Sequence, residues 1–277
     1  MVGAAGARHS SDPQLISEIA ERVRELASAY EPPDFAHAPG PDAALFLCAI
    51  DHRSGYRRAY LVGGKGPFDG SALLWALACA AEDREPGLLS AGSLADVDAG
   101  RVEELLRIGE ETAAGADERA LLWRDLAAGL RDRYQGSTLA LLTAAESRLG
   151  GSGGLIGRLS EFEAFSDPLQ KKSFLFAKIA ARRAWFEVTD PESWEVCADN
   201  VLMRIALRSG LVDPGPAEAV RPATREALKR LAIEAGVEPP LLDDLLWERG
   251  RRDPDLLGTA GGGDLREPPR PDGNVWY

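Results

Sequence analysis

The chain has 277 residues, 45% of them hydrophobic, and a formal net charge of −12. That is enough apolar material for a full core, while the acidic balance argues against a broad nucleic-acid footprint, which needs a basic face. No apolar run approaches 18 residues, the first ten residues lack the apolar centre of a signal peptide, and Cys48, Cys79 and Cys197 show neither metal-ligand nor redox spacing. A soluble, cytoplasmic protein with no metal and no cofactor is the expectation.

Residues 1–12 are small and polar and are expected to be disordered. From Pro13 to Tyr30, Leu15, Ile16, Ile19, Val23 and Leu26 recur at helical spacing behind Ser11 or Asp12 as cap. Four prolines between 32 and 41 then read as a stiff linker. Ala43 to Val62 is the clearest β signal. Two apolar or aromatic runs flank D-H-R-S-G, which predicts a hairpin near 43–62 with Asp51 and His52 at its tip or at the last strand position. An Asp-His pair suits a general base, but with no acceptor pattern around it a solvated turn is the plainer reading. G-G-K-G at 63–66 lacks phosphate-loop spacing and reads as a turn.

From Gly70 to Leu257 the pattern is helix and turn. Helices are predicted over Ser71–Glu82, Ser93–Ile108, Glu118–Tyr134, Leu139–Leu149 and Leu155–Phe165. Asp167-Pro168, with Gln170 three residues after the aspartate, marks a helix start running to about Ala184. This helix carries Lys171, Lys172, Lys178, Arg182 and Arg183, the last three read as a solvated basic face. Thr189-Asp190-Pro191 is a second start signal, and a helix over Ala198–Ser209 stops at Gly210. Further helices are expected over Pro222–Ala235 and Leu241–Arg249. Residues 258–274 are rich in glycine and proline and read as flexible, yet they deliver Val275, Trp276 and Tyr277, which are expected to dock on the body. The whole reads as mainly α: one helical domain over 13–277 with a small β-hairpin.

Asp199 draws attention because helical spacing aligns it with Leu202, Met203 and Ala206, on an inward face. It is either a helix cap or a carboxylate aimed at a site. Asn200, Arg204 and Arg208 form the neighbouring polar stripe. Asp243 and Trp247, four apart, either meet a ligand or leave Trp247 filling the core.

Several segments, in order, resemble the queuosine-salvage family, the queuosine 5′-phosphate N-glycosylases. They are G-S-A-L-L-W-A-L-A-C-A-A at 70–81, R-V-E-E-L-L at 101–106, Lys171-Lys172-Ser173, C-A-D-N at 197–200, Val220-Arg221, L-D-D-L-L-W at 242–247 and the terminal Trp276-Tyr277. The resemblance implies a helical fold distantly similar to helix-hairpin-helix DNA glycosylases. It also implies hydrolysis of the bond between a 7-deazaguanine base and ribose 5-phosphate, freeing the base for salvage. Asp199 takes the catalytic role. Lys171 and Lys172, with Arg204 or Arg208, would hold the 5′-phosphate; Asp243, Trp247, Trp276 and Tyr277 would shape the pocket, with Arg221 behind them. The chain departs from the family pattern at Gln170, Ile179, Ser71-Ala72 and Asp51-His52, so the base pocket is expected to be remodelled around Asp51 and His52. The partner implied is a small modified nucleotide. Two other readings stay open: a DNA or RNA base glycosylase using Lys171 or Lys172 as an amine nucleophile, and a non-catalytic relative that binds a ligand.

Overall fold

A computed structural model describes residues 10, 12–269 and 274–277. The expected disorder of 1–12 falls almost wholly outside them. The chain is mainly α-helical and divides into two compact units, where one helical domain was expected. Unit 1 joins the described residues up to Pro33 with those from Trp194 to Asn274; unit 2 spans Asp34–Ser193 and takes in Val275–Tyr277.

Unit 1 is a cluster of four helices. In α1 (Pro13–Ser28), Asp12 caps the first turn by accepting from the Gln14 N–H, as its sequence signal predicts. Its buried stripe of Ile19, Ala20 and Val23 packs on α10 (Ala217–Ala235) and also meets α11 (Pro239–Gly250). The α10 helix begins five residues earlier than expected and contains Pro222 at its sixth position, past the first turn, where the missing N–H removes the helical bond to the Glu218 carbonyl. The fourth helix, α9 (Asn200–Arg208), buries Val201, Leu202, Ile205 and Ala206 against α10 and α11. Gly210 ends it with φ +77°. A Cβ there would lie 3.0 Å from the Gly261 nitrogen, so both conformation and space call for glycine.

Unit 2 is built around α2 (Pro41–Ala49). The segment expected as a first hairpin strand is this helix, buried from Ala43 to Ala49. A short run that is apolar all round carries no period to separate a buried strand from a buried helix. Pro41 at the first position and Gly40 before it supply the start, and Asp42 accepts the Thr138 N–H at 2.8 Å. Around α2 pack α3 (Gly70–Arg84), α5 (Ala116–Tyr134), α6 (Thr138–Ala144) and α8 (Lys171–Arg182), with α4 (Ala99–Leu105) on α5 and α7 (Leu155–Leu159) on α8.

The β-hairpin does form, shifted along the chain: β1 (Tyr60–Val62) pairs antiparallel with β2 (Lys65–Phe68). Val62 faces Lys65, leaving Gly63-Gly64 as the loop, and both glycines have positive φ, as tight hairpin turns require. A second, shorter pair joins β3 (Arg107–Ile108) to β4 (Glu111–Thr112).

The start of α8 also departs from its signal. Gln170 takes φ +54° and the helix begins at Lys171, while Asp167 accepts the Leu169 and Lys171 N–H groups at 3.0 Å from the preceding turn.

Candidate functional site

In unit 1 the segment Cys197–Asp199 leads into α9 and is tied at each residue. The Cys197 N–H donates to Asp243 Oδ1 at 2.8 Å, from α11. The Ala198 carbonyl accepts from Arg221 Nε at 2.8 Å, from α10. Asp199 is the N-cap of α9: its Oδ1 accepts from Val201 N at 2.9 Å and Leu202 N at 3.0 Å. The helix-cap reading of Asp199 holds, and its side chain is buried, 5% exposed. Two backbone donors and the positive end of the helix dipole favour negative charge at this position. Asp243 and Arg221 are also buried, so three of the nominated residues converge on one three-residue segment.

The other unit 1 candidates lie further along the helices. Arg208 grips Asp255 with two 2.6 Å contacts, and its guanidinium holds the Asp255 carboxyl below the usual carboxylate range. A phosphate would have to displace Asp255 to use it. Arg204 donates to the Gly250 carbonyl at 3.2 Å. Trp247 is only part-buried, with the Arg251 guanidinium 4.8 Å from its ring centre, so it does not fill the core.

In unit 2 the structure brings together Asp51, His52, Lys171 and Lys172. Asp51 and His52 are buried at 7% and 4% exposure, which corrects the reading of a solvated turn. They follow α2 directly, and α8 packs over this helix end, bringing both lysines to the segment. Lys171 Nζ donates to Asp51 Oδ2 at 2.7 Å and to its carbonyl at 3.2 Å. Lys172 Nζ meets the Ala49 carbonyl at 2.6 Å and His52 Nδ1 at 3.0 Å. The far ring nitrogen, Nε2, lies 2.8 Å from Glu118 Oε1, which also takes Arg53 Nη2 at 2.6 Å. Burial, with the charge Lys172 carries when protonated and the Arg119 cation next, holds His52 far below its ordinary pKa, so the ring is neutral. A neutral ring then donates from Nε2 to Glu118 and accepts at Nδ1 from Lys172.

Arg119 and Glu118 were not singled out in the sequence. Arg119 is fully buried and donates to the carbonyls of Ile50, His52, Arg53 and Ala114. Its signal was present: Arg119, Leu122, Trp123 and Leu126 share the inward spacing of α5, and a charge in that row marks a buried cation. Lys178, read as solvated, is buried, because α8 is covered by α2, by α7 and by the 3-10 turn Glu163–Phe165. Arg182 and Arg183 instead rest on the Phe35 and Trp185 rings.

A cleft of roughly 390 Å³ in unit 2, lined by Gly55, Arg57, Arg58, Tyr60, Glu110, Glu111 and Thr112, contains none of the nominated residues. The terminal Val275–Tyr277 pack with unit 2, Tyr277 buried and Trp276 part-buried. Among the described residues no group of three or more His, Cys, Asp or Glu is placed to hold a metal ion, and no helix is long and apolar enough to cross a membrane. No protein-family model and no curated protein matches the chain.

Proposed function

We propose that the protein hydrolyses the N-glycosidic bond of queuosine 5′-phosphate or a related 7-deazaguanine nucleotide, releasing the free base. The observation that carries this reading is Asp199: a buried carboxylate whose Oδ1 is fixed by two backbone donors, on a segment pinned by Asp243 and Arg221. Cleavage of the bond to the base builds positive charge on the ribose, and a preorganised carboxylate stabilises that charge without having to reorient. The same carboxylate can accept a proton from the attacking water as oxygen bonds to the anomeric carbon and the bond to the base breaks, the departing base taking its proton from solvent. The resemblance around C-A-D-N assigns this role to Asp199, and the rigid anchoring of that segment supports it.

A nucleic-acid glycosylase with a lysine nucleophile fits less well. The Lys172 amine is enclosed by protein, Lys171 is committed to Asp51, and the net charge is −12.

The test is incubation with queuosine 5′-phosphate and a panel of other modified nucleoside 5′-phosphates, with mass spectrometry of released base. Release that disappears in Asp199→Asn is the expected result. A folded protein that binds the nucleotides and releases no base from any of them would overturn the proposal and leave the binding-protein reading.

A further inference from the structure

Lys172 has no exposed surface, and the Lys171 and Arg119 cations bear on it. Its Nζ has two acceptors, the Ala49 carbonyl and His52 Nδ1, and among the described residues no carboxylate lies at ion-pair distance from it. A neutral amine carries two N–H donors and an ammonium three. The two partners match the neutral form, and the third N–H of an ammonium would be left unmatched in a dry site, at substantial cost.

The charged groups nearby do not restore the balance. On α8 stand Lys171 and the buried Lys178; from α5 come Glu118 and Arg119; from the connecting segment come Asp51, His52 and Arg53. Asp51 is taken by Lys171, and Glu118 by Arg53 and His52. The Cys48 thiol, from α2, is pushed well above its usual pKa by burial and is uncharged. Asp167 accepts backbone N–H groups at the start of α8, Arg158 on α7 donates to the Gly153 carbonyl, and Glu163 in the 3-10 turn is exposed.

We infer that Lys172 is an acid-sensitive latch on the segment Ala49–Arg53: uncharged, it closes the segment, and protonation favours an open form in which the amine reaches water. Opening admits the water that supplies the proton, and Nζ gains one N–H bond on its lone pair. Burial, with Lys171 next, pushes the closed-state pKa down to about 7 from the ordinary 10.5. Between those values the open form binds more protons than the closed one, so the open population rises as the pH falls, about tenfold per pH unit. Below about 7 Lys172 is protonated in both forms and its contribution levels off, while His52, held neutral in the closed form, adds its own rise below its ordinary 6.5.

Backbone amide exchange of the full chain reads this directly at Asp51 and His52, whose N–H groups bond to Cys48 and Ile50 carbonyls at 3.2 and 2.8 Å. After correction for intrinsic exchange chemistry, the open fraction should rise about tenfold from pH ~9 to ~8, and again to ~7, then flatten until His52 begins to charge in the open form below its ordinary 6.5. Lys172→Met should abolish that dependence. Should the variant fail to fold, the 13C resonance of the Lys172 Cε in the native protein decides. A titration midpoint near 7 is expected; a midpoint near the ordinary lysine value, or corrected exchange that ignores pH, overturns the inference.

Discussion

Lys172 Nζ and His52 Nδ1 lie 3.0 Å apart, both out of contact with water, and the proton between them belongs to the lysine. The assignment follows from the other side of the ring, where Nε2 faces the Glu118 carboxylate at 2.8 Å and must carry the hydrogen. Glu118, itself partly exposed, therefore fixes the tautomer that lets His52 accept from the lysine. Glu118 positions and His52 receives.

The pair makes stability pH-dependent in two windows. Lys172 has its folded-state pKa lowered to about 7 from 10.5, so the unfolded chain binds more protons between these values and stability falls as the pH drops through that range. His52 is also depressed, so it adds a second loss as the pH falls below its ordinary 6.5. Urea denaturation between pH ~6 and ~9 should show stability rising with pH, by about tenfold in the folding equilibrium per unit above ~7 from Lys172. A midpoint that does not rise over this range would refute the assignment.

Asp199 combines a structural role with the proposed catalytic one, and two substitutions separate them. Asn is as good a helix cap as Asp, so Asp199→Asn should keep the stability of the native chain. Asp199→Ala loses both bonds to Val201 N and Leu202 N and should cost about 1 kcal/mol. Turnover of a nucleotide substrate should vanish in both. Equal stability of the two variants in chemical denaturation would show that the cap contributes nothing.

Gly210 offers a test of the end of α9. Its φ is +77°, and a Cβ at this position would stand 3.0 Å from the Gly261 nitrogen, so Gly210→Ala meets both torsional strain and backbone contact. A loss of about 1–3 kcal/mol is expected from thermal or denaturant unfolding. A neutral substitution would mean that the turn at residues 260–261 moves freely.

Removing residues 275–277 should destabilise unit 2, because Tyr277 is 5% exposed and Trp276 is part-buried. The expected loss is about 2–3 kcal/mol, seen as a lower denaturation midpoint of the truncated chain. An unchanged midpoint would mean that the terminal aromatics rest on unit 2 without stabilising it.

The helical class was legible because caps and stops are local: Asp12-Pro13 and Gly210 each mark a boundary that the fold uses. The segment Ala43–Ile50 was not, since a helix buried on all sides shows no polar face to reveal its period. Asp199 was visible as a cap, and its burial followed from the apolar residues at its helical spacing. The meeting of Asp51 and His52 with Lys171 and Lys172 depends on α2 packing against α8, a contact between segments 120 residues apart that no local pattern encodes. The same packing buries Lys178, which sequence polarity alone places in water. Arg119 could have been found from its place in the inward row of α5.

The pairing of α1 with α10 sets an order of events during synthesis. Residues up to Ser28 leave the ribosome long before Ala217, so the apolar stripe of Ile19, Ala20 and Val23 emerges without the surface that covers it. Meanwhile the helices of unit 2, from Pro41 to Arg182, become available to one another. The helix Pro13–Ser28 is thus buried only once Ala217–Ala235 has been made, and until then its apolar stripe stands without the surface that covers it.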